Sequence, residues 1–166
     1  MTDTDGTILV AGLGNELLSD DGVGIHACRR LASEAEARGR TDVVIAEIGT
    51  AVIEALHLLE RAELILGIDA MQAGGAPGTV YLASADELES SELVSLHQLS
   101  LLGALQMVEA EASGRLAEPW KRPAVEILGV EPAQLSLGMT LSTPVAASLP
   151  QVCEQVWRLI DGRTAG

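Results

Sequence analysis

Ile8, Leu9, Val10 and Ala11 form an apolar run with no alternating polar face, and the run passes directly into Gly12-Leu-Gly14-Asn15-Glu16. A short run of this kind suits a strand covered on both sides, as in a parallel α/β sheet, which places any ligand site at the strand's carboxyl end. Gly12 and Gly14 free the backbone for a sharp turn, and Asn15 tolerates left-handed geometry. Glu16 is thereby presented just above the sheet edge. Ser19, Asp20 and Asp21 are candidate caps for a helix beginning near Gly22.

Two common meanings of a glycine-rich turn after a strand fail here. Dinucleotide binding needs a third Gly or Ala at the sixth position and an acid roughly 20 residues on. The sixth position from Gly12 is Leu17, and the nearest acid closing a second strand is Glu47. Glu16, Asp20 and Asp21 would also face a pyrophosphate with negative charge. A phosphate-binding P-loop is excluded because no Gly-Lys-Ser/Thr follows.

Charge narrows the partners further. Ten Lys and Arg against 24 Asp and Glu leave a net charge of −14 over 166 residues. That balance argues against nucleic acid and anionic membrane surfaces and favours a cation or a basic peptide. The length suits a single domain over residues 1–166, with no disulfide needed to hold it. Cys28 and Cys153 fall inside helical apolar patterns and read as core thiols in a reducing compartment. The N-terminal Met-Thr-Asp-Thr-Asp-Gly lacks the basic and apolar regions of a signal peptide, and no apolar run reaches the length of a membrane span. A cytoplasmic protein without membrane insertion is expected.

Periodicity then orders the chain. Ile25, Cys28, Leu31 and Ala35 mark a helix ending near Gly39, and Val43 to Ala46 a second buried strand. Ile53, Leu56 and Leu59 mark a second helix, and Leu64 to Ile68 a third strand that ends at Asp69. The βαβαβ alternation implies parallel strands with right-handed crossovers. After the loop 73–78, Thr79 to Leu82 predicts a hairpin-like antiparallel edge, and residues 86–95 a polar loop or short helix leading to His97. A helix over 99–112, a punctuated connection through Gly114, Pro119 and Pro123, a strand over 124–130 and a final helix from Val145 complete the chain. The fold class expected is α/β, a three-layer α/β/α sandwich around a mostly parallel, twisted five-stranded sheet.

On such a sheet Glu16 and Asp69 converge on one rim, with His97 introducing the next helix. Two carboxylates and an imidazole suit a borderline divalent cation such as nickel or zinc, with coordination positions left open. Each residue also has a plainer role, as a loop acid, a strand-end turn former and a helix-start polar residue. His26 and His57 sit among apolar helix residues and read as partly buried. Asp20 and Asp21 read as caps in preference to an acid and base. Serine-hydrolase elbows and the His-Glu-x-x-His helix are missing from the sequence.

The opening Gly12-x-Gly14-Asn15-x-Leu17-x-x-Asp20-Asp21-x-x-Gly24 resembles the hydrogenase maturation endopeptidases, which cut a C-terminal extension from the precursor of the nickel–iron hydrogenase large subunit. The likeness extends through Gly67-Ile-Asp-Ala-Met71, Ala76-Pro-Gly-Thr79, Leu96-His-Gln-Leu99, Leu128-Gly-Val-Glu-Pro132 and Leu141-Ser-Thr-Pro144. It implies that Glu16, Asp69 and His97 are at once the catalytic and the nickel-binding residues. It also implies that nickel arrives with the precursor, other divalent cations being able to occupy the site. The partner expected is that precursor, met by a monomer. One segment departs: Glu47-Ile48-Gly49-Thr50 stands where the family usually shows Asp-Gly-Gly-Thr. The alternative reading is a nickel-dependent chaperone or sensor that holds the precursor without cutting it.

Overall fold

Strand order β2-β1-β3-β5-β4 defines the one sheet of the computed structural model, which describes residues 7–91, 95–115 and 119–164. The strands are β1 (Thr7–Leu13), β2 (Val43–Gly49), β3 (Ala62–Ala70), β4 (Val80–Ser84) and β5 (Ala124–Val130). β1 pairs in parallel with β2 and β3, and β3 in parallel with β5; only β4 runs antiparallel, against β5. The helices are α1 (Val23–Arg38), α2 (Leu56–Arg61), α3 (Ala85–Glu89), α4 (Leu96–Arg115) and α5 (Thr143–Thr164). Residues 1–6, which carry the leader reading, and residues 92–94 and 116–118, inside the polar segment and the connection expected from the sequence, lie outside the described residues.

The pleat divides the sheet's side chains between two cores. Ile8 and Val10 of β1, with Leu66 and Ile68 of β3, meet Ala27 and Leu31 of α1 and Val156 and Ile160 of α5. Leu9 and Ala11, with Ile65 and Ile127, meet Leu59 of α2 and Leu101 and Leu105 of α4. Two apolar faces on one sheet require helices on both, which is the three-layer sandwich that the sequence predicts. No helix among the described residues is long and apolar enough to cross a membrane. Cys28 and Cys153 are free and buried on the α1/α5 side.

Three local expectations are corrected. β2 is not a buried strand: it forms the sheet edge, and all of its residues except Ile48 are partly or fully exposed. β4 makes no hairpin with β3, because β5 inserts between them. His57 is exposed on α2, whereas His26 is half-buried as expected.

The opening glycines earn their places by close approach. A Cβ on Gly24 would collide with the carbonyl oxygens of Leu13 and Ile68, and one on Gly12 with the carbonyl of Gly24. The first turn of α1 therefore rests directly on the carboxyl ends of β1 and β3, where a methyl group would force the layers apart. Gly14 adopts φ +104°, which a side chain disfavours, and turns the chain away from β1.

Candidate active site

β1 leads to β2 on one side and is flanked by β3 on the other, so the crevice between the carboxyl ends of β1 and β3 is the topological switch point of the sheet. The turn 14–22 fills one wall of that crevice. Asn15 shapes it, its side chain accepting from the Leu17 N–H and its backbone N–H donating to Asp21 Oδ2 at 2.8 Å. Asp69 closes β3 on the opposite wall, and His97 stands in the first turn of α4, one residue inside the helix. A cleft of about 570 Å³ opens here, with Asn15, Asp21, Thr50, Met71 and His97 in its lining.

Asp21, Asp69 and His97 form a cluster whose donor atoms all lie within 4.8 Å of one another. His97 Nδ1 is 3.4 Å from Asp69 Oδ1, and His97 Nε2 is 3.9 Å from Asp21 Oδ2. Asp69 is fully buried, not at an exposed junction as the strand-end position suggests. His97 Nδ1 is also buried, and its approach to Asp69 is not aligned as a hydrogen bond, so its pairing remains open. Two carboxylates and an imidazole nitrogen without a hydrogen-bond partner, converging at a cleft, make a donor set that fits a borderline divalent cation.

Glu16 lies on the same turn but faces elsewhere. Both of its oxygens are taken by the Arg29 guanidinium of α1, which reaches on to both oxygens of Glu47. The Arg29 hydrogen bonds hold the Glu16 carboxyl below the usual carboxylate range. Of the three residues named from the sequence, the fold thus brings Asp69 and His97 together and ties Glu16 to Arg29. The Glu47 departure from the family loop is one end of that tie.

Asp20 and Asp21 do not cap α1, whose N-terminus has no side-chain cap. Asp20 is fully buried and accepts from the backbone N–H groups of Ala133, Gln134 and Ser142 and from the Ser142 hydroxyl. Burial opposes its charge, but these four donors outweigh burial and hold the carboxyl below its ordinary value. Asp20 therefore pins the loop 133–142 against the turn, where Ser19 N–H also donates to Gly138 O at 2.7 Å. Glu131 does the same for the loop after β3, accepting from Ala73 N–H, Gly75 N–H and the Tyr81 hydroxyl. Asp21 was legible only as one of an acidic pair; its place opposite His97 depends on the path of the turn.

A family model described as "HycI: Hydrogenase maturation protease" matches residues 25–159. The chain belongs to the hydrogenase maturation proteases. The hydrogenase expression/formation protein HupM of Azotobacter chroococcum mcd 1 is 33% identical over 153 residues, covering 90% of this chain and 69% of HupM. Among solved structures, the hydrogenase maturating endopeptidase HybD from E. coli is 27% identical, covers 96% of this chain and 94% of its own, and superposes with a TM-score of 0.75. The [NiFe] hydrogenase maturation protease HybD from Thermococcus kodakarensis is 29% identical, covers 92% and 98%, and also gives 0.75. This maturation protease is accordingly an endopeptidase on the α/β/α fold that its sequence predicts.

One pH dependence follows from the cluster. The Asp69 carboxylate beside it is the main cause that raises the His97 pKa, burial working against it and Asp21 adding to it. A raised value means that the imidazolium stabilises the metal-free fold. This contribution is fully present below the ordinary value of 6.5 and is lost as pH rises through the folded-state value. Thermal unfolding of the metal-free protease is expected to show this loss, and His97→Gln to remove it. An identical pH profile for the two proteins would show that the ring and the carboxylates do not interact.

Proposed function

We propose that this endopeptidase removes the C-terminal extension of a nickel–iron hydrogenase large-subunit precursor, and that it recognises the precursor through nickel already inserted there. Glu16, Asp69 and His97 are assigned to the ion and to the chemistry beside it. The observation that carries the reading is the buried His97 Nδ1, 3.4 Å from Asp69 Oδ1 but not aligned as a hydrogen bond to it, set among carboxylates at the switch-point cleft. Nitrogen and oxygen donors suit nickel, and an ion held by the precursor needs only part of its coordination sphere from the protease. For Glu16 to join Asp69 and His97 it must exchange Arg29 for the ion, while Asp21 faces the ring from the turn.

Water is the nucleophile that the side chains favour. Cys28 and Cys153 are buried, their thiols pushed up by desolvation to about 12 and about 11. The Ser95 hydroxyl donates to Asp69 and accepts from Gln98 N–H, so it is not aimed at His97 as an activated serine would be. A carboxylate of the cluster then takes the proton from water as it attacks the scissile carbonyl, and gives it to the departing amine nitrogen as the peptide C–N bond breaks.

The test uses Glu16→Gln with nickel-loaded precursor, following the shortened large subunit on a gel. Wild-type protease is expected to cut; the variant keeps the size of the side chain but loses the charge, and is expected to be slower by on the order of tenfold or more. Full-rate processing by Glu16→Gln would leave Glu16 as no more than the partner of Arg29. A wild-type protein that binds nickel-loaded precursor without shortening it would overturn the reading.

A further inference from the structure

Asp69 Oδ1 and Oδ2 are not equivalent in this fold. Oδ1 accepts from the Ala70 N–H at 2.9 Å and faces His97 Nδ1. Oδ2 points the other way and accepts from two side chains of the α4 start, the Ser95 hydroxyl at 2.6 Å and the Gln98 amide Nε2 at 3.2 Å. These two residues also bond to each other. Gln98 N–H donates to Ser95 Oγ at 3.1 Å, and Ser95 N–H donates to Gln98 Oε1 at 3.3 Å. The spacing Ser95-x-x-Gln98 is that of a capping box, and the reciprocal pair is made as such a box requires.

The orientation of the Gln98 amide is dictated by its neighbours: an oxygen must meet the Ser95 N–H, which leaves the NH₂ for the carboxylate. The Ser95 hydroxyl is similarly constrained, since its oxygen receives the Gln98 N–H and its hydrogen goes to Asp69. Gln98 is 1% exposed and Asp69 0%. Water therefore cannot stand in for the Gln98 amide, and the Gln98–Asp69 bond sits in a medium where it counts for more than at the surface. His97 lies between Ser95 and Gln98 in the chain, so the box that starts α4 also places the ring.

We infer that Ser95 and Gln98 are the positioning pair of the site: by saturating Asp69 Oδ2 they turn Oδ1 toward His97, and by capping α4 they hold the ring in register with that oxygen. The inference rests on the reading of Asp69 and His97 as metal-binding residues and extends it to the shell behind them. Neither Ser95 nor Gln98 touches the ion or the scissile bond in this assignment. Partners behind a metal-binding side chain typically govern about 10- to 100-fold of metal affinity.

Titration of metal-free protein with Ni²⁺ alone, well below the unfolding temperature, tests the pair on folded protein without reference to peptide cleavage. Gln98→Met, close in length but without the amide, and Ser95→Ala are each expected to weaken Ni²⁺ binding about 10- to 100-fold. Ser95→Thr keeps the hydroxyl, and binding is expected within about threefold of wild type. A role in helix capping alone would lower the unfolding temperature of Gln98→Met and Ser95→Ala yet leave the affinity of the folded protein unchanged, and that result overturns the proposal. Asp69→Asn is the control for the reading beneath it. If Asp69→Asn binds Ni²⁺ as wild type does, the metal-binding assignment itself fails and the positioning role falls with it. If Asp69→Asn loses binding while Gln98→Met and Ser95→Ala retain it, only the positioning role is overturned.

Discussion

Asp69→Asn is expected to leave nickel-loaded precursor essentially uncut, with processing reduced by on the order of a hundredfold or more, since a residue that meets the ion should matter at least as much as those behind it. The variant is also expected to be less stable. In the wild-type protein Oδ2 accepts from Ser95 and Gln98 while Oδ1 accepts from Ala70 N–H. An amide has one oxygen, so either orientation sets an NH₂ group against a donor in a fully buried place. A mismatch of that kind costs about 1–3 kcal/mol. For a chain of this size each kcal/mol lowers the unfolding midpoint by about 2–4 °C, so the variant remains folded at ordinary assay temperature. The two effects are separable by measuring unfolding and processing on the same preparation. Wild-type processing by a destabilised Asp69→Asn would confine Asp69 to a structural role and remove it from the chemistry.

Precursor made without nickel is expected to remain uncut at any concentration of protease, and to be cut once nickel is restored to it. The acidic groups around the cleft are unequally satisfied. Asp20 is held by four neutral donors and Glu16 by the charge of Arg29, whereas Asp21 and Asp69, though each accepts hydrogen bonds, have among the described residues only His97 as an ion-pair neighbour. On the proposed reading, an ion entering with the precursor would relieve the repulsion between these carboxylates and join the two proteins at one point, bringing the tail to the rim with its orientation set. Without the ion the same rim repels carboxylates and has no central contact to offer. The experiment incubates the protease with nickel-depleted precursor under chelation, then supplies nickel-reconstituted precursor after the chelator is removed. Cleavage of the metal-free precursor under chelation would overturn nickel recognition even if the metal-binding residues are correctly named. Cleavage of metal-free precursor by protease given zinc or nickel of its own would make the ion a resident of the enzyme.

Much of the architecture could be read from local pattern because its causes are local. Apolar runs without a polar face at residues 8–11 and 64–68 announce strands covered on both sides, the run 124–130 reads as a strand despite Glu126, and helical spacing between them supplies the covers. The strand at 43–46 misled for a reason of the same kind. Val43 to Ala46 is as apolar as a central strand, yet it lies at the edge beside β1, and nothing in its own composition says how many neighbours it has. Likewise the strand near residue 80 is recognisably an edge, but its choice of β5 over β3 as partner depends on a segment more than 40 residues further along.

The site divides along the same line. By itself the sequence determined the turn, the residue types and the rim: the opening glycines, a carboxylate closing β3 and a histidine starting a helix are consequences of short-range pattern and of parallel-strand topology. Its family resemblance supplied the roles. Tertiary structure alone decided which polar groups meet. Asp20 goes inward to the loop 133–142, Asp21 turns toward His97, Glu16 is taken by Arg29 and Glu47, and the Ser95–Gln98 box reaches across to Asp69. The physical reason is that a hydrogen bond or ion pair is settled by distances of a few tenths of an ångström between segments far apart in the chain. Such distances are set by how α1, α4 and the sheet pack, and no periodicity within any one segment records them.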